Sequence, residues 1–153
     1  MPRIESSIQL GVPAEFAFDF IADPSTARLI DPSVREYRPD TLPMRVGTVN
    51  QVRFRMFGLP VRATSVVREW DPGRRMRMES TRPARPVKVV AEHTFEPNGD
   101  GCTYTWAIET TPVGVIGRPA AALMARFWKA NAAKQQANVR REVERRWSGP
   151  GRY

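Results

Sequence analysis

The sequence is nearly without cysteine and histidine, with one of each, Cys102 and His93, among its 153 residues. A lone cysteine excludes an intrachain disulfide framework and any zinc site built on paired cysteines, and it suits a reducing compartment. One histidine without a carboxylate cluster at ligand spacing argues against a metal centre, so neither metal nor cofactor is expected. No apolar run approaches the ~18–20 residues that a bilayer-spanning helix needs, and the mean hydropathy is negative. The opening MPRIESSIQLGVPAEF holds one basic residue and no apolar leader core. A secretory signal is therefore not expected, and a cytoplasmic location is. Repeats of 20–50 residues are missing. So are Gly-x-Gly-x-x-Gly, Gly-x-Ser-x-Gly, Walker and His-Glu-x-x-His patterns, which leaves nucleotide binding and serine-hydrolase chemistry without support.

What is present is a 41% hydrophobic chain with 24 Lys+Arg against 16 Asp+Glu, a net charge of +8. The length suits one domain able to bury a core unaided, placed at residues 1–147, with 148–153 read as a disordered tail. In Arg3–Leu10, Ile4, Ser6, Ile8 and Leu10 alternate with polar neighbours, which predicts a strand. Gly11-Val12-Pro13 breaks it, and Phe16, Ala17, Phe20 and Ile21 form the stripe of a short helix. Asp23-Pro24 stops that helix, and Asp23 is placed to cap a second one running to Asp31. From Val34 to Thr111 the period is two, with tight connections at Phe57–Pro60, Asp71–Arg74 and Pro97–Gly101.

Opposite residues in a hairpin share a face, so the turns predict pairings. Met56 is expected opposite Val61, Phe54 opposite Ala63 and Val52 opposite Ser65. Glu69 is placed opposite Met76, Val67 opposite Met78, Phe95 opposite Tyr104, His93 opposite Trp106 and Ala91 opposite Ile108. All three registers put the apolar residues on one face. Arg53, Arg55, Arg62, Arg68, Arg75, Arg77, Lys88, Glu92 and Glu109 fall on the other, expected to meet solvent. Beyond Thr111 the 3.6 period returns, with Ile116, Ala120, Leu123, Met124, Phe127 and Ala130 on one side of a helix ending near Trp147 and starting as late as Pro119. At ~1.5 Å per residue it reaches about 40 Å, enough to cross the whole sheet. The predicted class is α+β: a curved antiparallel sheet of about seven strands gripping one long C-terminal helix, with two short helices after the first strand.

Several stretches carry a family resemblance. Ser6-Ser7-Ile8-Gln9-Leu10-Gly11-Val12-Pro13-Ala14-Glu15-Phe16-Ala17-Phe18, with Ala22-Asp23-Pro24 and Asp31-Pro32-Ser33-Val34, resembles the opening of the polyketide cyclase/dehydrase and lipid-transport families of the START-related (SRPBCC) superfamily. Gly47-Thr48-Val49, the run from Val66 to Met76, and the hairpin Thr94–Pro97 to Gly101–Trp106 are similar to it as well. The resemblance implies a helix-grip fold with a hydrophobic tunnel, used by members to carry lipids, quinones or hormones or to fold polyketide chains. The superfamily shares no catalytic motif, so it assigns no residue a role.

The inward-facing set includes Phe54, Met56, Met76, Met78, Val89, Trp106 and Ile108, joined by Leu123 and Phe127 of the helix and by polar Ser65, Glu69, Ser80 and His93. Deformable methionines suit an adaptable apolar site, and the same residues would equally serve as a filled core. Three uses follow. In the first the protein binds a hydrophobic small molecule, with His93 and Ser65 or Ser80 orienting it. In the second it is a cyclase, aromatase or dehydratase with His93 as acid/base. Glu69 stands too far from His93 to form a couple with it, because one strand lies between theirs at ~4.8 Å per step. In the third, the basic end of the last helix meets an anionic membrane or partner. Arg126, Lys129, Lys134, Arg140, Arg141, Arg145 and Arg146 outnumber Glu142 and Glu144 seven to two there, a net +5. Trp128, Ala132, Val139 and Val143 read as a weaker outer stripe suited to a membrane or a homodimer contact. Nucleic acid is not expected, since no stacking aromatics interleave with the cations.

Overall fold

The computed structural model describes residues 3–83 and 86–147; the stretch read as a tail, 148–153, lies outside them. The strands are β1 (Arg3–Leu10), β2 (Val34–Pro39), β3 (Val49–Met56), β4 (Leu59–Asp71), β5 (Arg75–Arg82), β6 (Val87–Asn98) and β7 (Gly101–Pro112). The helices are α1 (Ala14–Ala22), α2 (Ala27–Ile30) and α3 (Gly117–Arg146), with a 3-10 turn at Pro24–Thr26. All seven strands form one antiparallel sheet in the order β1-β7-β6-β5-β4-β3-β2. This is the helix-grip arrangement expected of the α+β class.

Local chemistry accounts for the boundaries. Asp23 ends α1 in extended backbone, and its carboxylate accepts the Ser25 N–H at 2.9 Å, which caps the turn leading to α2. The last helix begins at Gly117, two residues before Pro119, where an added Cβ would stand 3.0 Å from the Pro112 backbone.

The β6–β7 register agrees with expectation, pairing His93 with Trp106 and Phe95 with Tyr104. The β3–β4 register differs by two residues: Met56 faces Leu59 and Phe54 faces Val61. The reason is the turn, in which Phe57 and Gly58 both take positive φ (53° and 78°) and close a two-residue hairpin. A shift of two preserves the face, so Phe54 and Met56 stay inward. In β4 a register irregularity between Val67 and Glu69 does change faces. Glu69 pairs with Arg77 and Trp70 with Met76, so the expected Glu69–Met76 pairing is wrong and Trp70 points inward instead. Trp70 meets Phe18 of α1 edge-on at 5.1 Å.

The larger correction concerns α3. Its buried positions are Gly117, Ala121, Trp128, Ala132, Gln136, Asn138, Val139 and Val143. The stripe taken as outer is therefore the packed one, whereas Leu123 is 50% and Ile116 64% exposed. The helix lies over β1 and β7 and against α2, to one side of the sheet. Hydrogen bonds fix this placement: Gln136 Nε2 donates to Ser6 O at 2.7 Å, Asn138 Nδ2 to Ile30 O at 3.0 Å, and Gly11 N to Glu144 Oε2 at 2.8 Å. Buried amides on a helix face carry no hydrophobic signal, so the stripe with more apolar letters was not the one the fold used.

Candidate functional site

Cross-strand pairing arranges the concave face in rows. Trp70, Met76, His93, Trp106 and Ser6 form one, and Val67, Met78, Ala91, Ile108 and Ile4 the next. A further row brings Asn50, Ser65 and Ser80 side by side on β3–β5, with the Val89 N–H donating to Ser80 Oγ at 2.8 Å. Met76, Trp106 and Ile108 are buried on this floor, as is Met56 near the first hairpin turn. Phe54, Ser65, Met78, Ser80, Val89 and His93 keep part of their surface accessible although they face inward. A partly accessible inward face of this kind is the wall that a recess would require.

His93 is the polar centre of that wall. Its Nδ1 lies 2.7 Å from Tyr104 Oη, and Tyr104 stacks on Phe95 with ring centroids 5.0 Å apart. Burial pushes the imidazole pKa down to about 4 and the Tyr104 phenol well up, so both are neutral at pH 7. Tyr104 is enclosed and has no other hydrogen-bond partner among the described residues. Its O–H is best satisfied by donating to Nδ1, which assigns the proton of His93 to Nε2. That Nε2 has no partner among the described residues and keeps some surface exposure. The result is a fixed, uncharged N–H donor in an apolar surface.

Other positions differ from expectation. Glu69 lies on the opposite face, where Arg75 Nε stands 3.0 Å and Arg77 Nη1 3.7 Å from its carboxylate, in a network that continues to Glu92. It is a surface ion-pair residue and does not line the recess. Leu123 stands at the rim, half exposed. Phe127 meets Phe57 of the β3–β4 turn edge-on at 5.5 Å, closing the helix against the hairpin tip. Cys102 is buried with its thiol pushed up to about 11, chiefly by burial, which leaves it unreactive.

Sequence reasoning missed Tyr104, Tyr37 and Asn50. Tyr104 was legible, being the diagonal neighbour of His93 once Trp106 is placed opposite it. Tyr37 was not, because it reaches from β2 to bring its hydroxyl 3.7 Å from Met78 Sδ on β5, which only the curvature of the sheet allows. Burial raises its pKa strongly. Asn50 is 0% exposed, and neither its amide nitrogen nor its oxygen has a partner among the described residues.

The same architecture recurs in solved structures. The Zhui aromatase/cyclase from Streptomyces sp. R1128 is 17% identical with a TM-score of 0.77, the match covering 98% of each chain. TTHA0849 from Thermus thermophilus is 17% identical with a TM-score of 0.76, covering 96% of this chain and 100% of that one. The di-domain aromatase/cyclase BexL of the BE-7585A biosynthetic pathway is 19% identical with a TM-score of 0.73; the match covers 94% of this chain and 47% of BexL. No curated protein matches the sequence. At these identities the likeness establishes the fold. The family model for polyketide cyclase / dehydrase and lipid transport matches residues 1–144, so the chain belongs to that family.

Proposed function

We propose that the protein encloses a hydrophobic small molecule between the concave sheet face and α3, and orients it by a hydrogen bond from His93 Nε2 to a ligand oxygen. The observation that supports this reading is the Nε2 of a neutral histidine, without a partner among the described residues and held by Tyr104 within an apolar wall. Apolar burial at ~25 cal/mol per Å² would supply the affinity, through the partly accessible Phe54, Met78, Val89 and Phe127. Ser65 and Ser80 add hydroxyls on the hairpin side. A lipid, quinone or polyketide fits this description, and binding of this kind calls for no cofactor.

A second reading takes its support from the aromatase/cyclase names of the structural neighbours. A polyketide-like chain held here would have a carbonyl polarised by the His93 N–H. With a pKa near 4, His93 is unprotonated at neutral pH and a weak base. This favours polarisation and positioning over acid/base transfer.

Mass spectrometry under mild conditions, searching for a co-purified lipophile, tests the binding reading most directly. Joint Met78→Ala and Phe54→Ala substitution should weaken uptake of every lipophilic probe. His93→Leu should weaken only oxygen-bearing ligands, by several-fold to about tenfold, the range of one hydrogen bond. Unchanged uptake in the Met78/Phe54 double variant would sink the assignment.

A further inference from the structure

The rim of the recess carries large apolar side chains that nothing among the described residues covers. On the β3–β4 hairpin, Phe57 is 55% and Leu59 67% exposed; on α3 and the loop before it, Leu123 is 50%, Ile116 64% and Val115 100% exposed. They form one surface. Phe57 touches Phe127, and Ile116, Ala120, Leu123 and Phe127 follow the helical period along about 16 Å of α3 at ~1.5 Å per residue. Beyond Ile116 the surface continues into an open depression of about 330 Å³ lined by Pro86, Val113, Gly114, Val115 and Ile116. An exposed apolar patch on this scale marks an interaction site.

Charge indicates the partner. No acidic residue occurs between Asp40 and Glu69, the span containing the hairpin, or between Glu109 and Glu142, the span containing the helix rim. Arg55, Arg62, Arg126 and Lys134 belong to these two spans, and none has an ion pair among the described residues. The cations at the far end of α3 differ. Arg140 donates to Gln9 O at 3.0 Å, Arg141 to Asn138 Oδ1 at 2.9 Å and Arg145 to Glu142 at 2.7 Å, and Arg146 lies over the Phe20 ring. Four of the seven basic residues counted on α3 are thus engaged, whereas Arg126 and Lys134, within about a quarter-turn of the apolar stripe, have no ion pair among the described residues.

From this combination we infer that the Phe57–Leu59 turn and the Ile116–Phe127 stripe dock on an anionic lipid bilayer. The apolar side chains enter the headgroup boundary and the flanking cations meet its negative surface. The inference stands independently of what the recess holds. Docking would set the mouth of the recess against the membrane, giving a hydrophobic occupant a path that avoids water.

Co-sedimentation with vesicles tests it. The protein should pellet with phosphatidylcholine vesicles containing phosphatidylserine, should not pellet with phosphatidylcholine alone, and should be released as salt rises. Leu59→Ser with Leu123→Ser, both at exposed positions, should weaken association by at least about tenfold. Arg126→Glu with Lys134→Glu should weaken it roughly fivefold or more per cation. Lack of pelleting at low salt, or undiminished pelleting of the Leu59/Leu123 variant, would overturn the inference. So would a concentration-dependent dimer that this variant makes monomeric, since the patch would then be a contact between copies. Uptake of a lipophilic probe in vesicle-free buffer reads the recess alone, so each idea can fail without the other.

Discussion

The two halves of the sheet share one alternating pattern and were packed differently. On β7 the inward residues Cys102, Tyr104, Trp106, Ile108 and Thr110 are all buried beneath α3 and α1. On β3–β5 the inward Asn50, Met56, Val67 and Met76 are buried as well, but Val52, Phe54, Val61, Ala63, Ser65, Met78 and Ser80 are only partly buried. Similar hydrophobicity thus gives a wholly covered strand on one side and a partly accessible face on the other. What separates them is the line along which the helix lies, set by hydrogen bonds from Gln136, Asn138 and Arg140 to backbone carbonyls of β1, α2 and β1 again.

That contrast can be broken by substitution. Trp128→Ala, on the covered side, should cost about 3–5 kcal/mol of unfolding free energy in a urea titration, because a large cavity forms beneath a pinned helix. Phe54→Ala, on the open side, should cost far less and reduce lipophile uptake instead. Equal losses at the two positions would mean that the halves are packed alike.

The pH dependence of stability sharpens it next. The folded pKa of His93 lies near 4 against an ordinary 6.5. Between these values the unfolded chain binds a proton that the folded one refuses. Stability is therefore complete above about pH 6.5 and falls as pH drops towards 4, by up to roughly 3 kcal/mol at ~1.4 kcal/mol per pKa unit. His93→Gln should flatten the unfolding free energy across that window.

The smallest contrast lies between the inward polar residue Asn50 and the outward Glu69. Asn50→Leu replaces an amide with no partner among the described residues and should raise the stability by about 1–3 kcal/mol. Glu69→Gln removes exposed ion pairs and should change it by less than about 1 kcal/mol, without altering lipophile uptake. If Glu69→Gln weakened uptake, its placement on the outer face would be wrong.

Much of this was legible beforehand because it is local. Hairpin pairing follows from alternation and turn residues, so His93 was correctly placed opposite Trp106. The face of Glu69 was misread because one extra residue in β4, invisible to alternation, turns the strand over. The face of α3 was misread because two of its buried positions, Gln136 and Asn138, are polar, and their hydrogen-bond acceptors lie on distant segments. Tyr37 escaped notice because its reach depends on curvature accumulated over several strands.

By itself the sequence determined the order of elements, the single apolar sheet face, the capping of the turn before α2 by Asp23 and the family. Each depends on residues a few positions apart or on a pattern running along the chain. Only the tertiary structure decided which stripe of α3 is buried, which half of the sheet stays accessible, and which cations the fold engages. Those depend on how a rigid helix settles on a twisted surface, where contacts between residues more than a hundred positions apart outweigh local hydrophobic pattern.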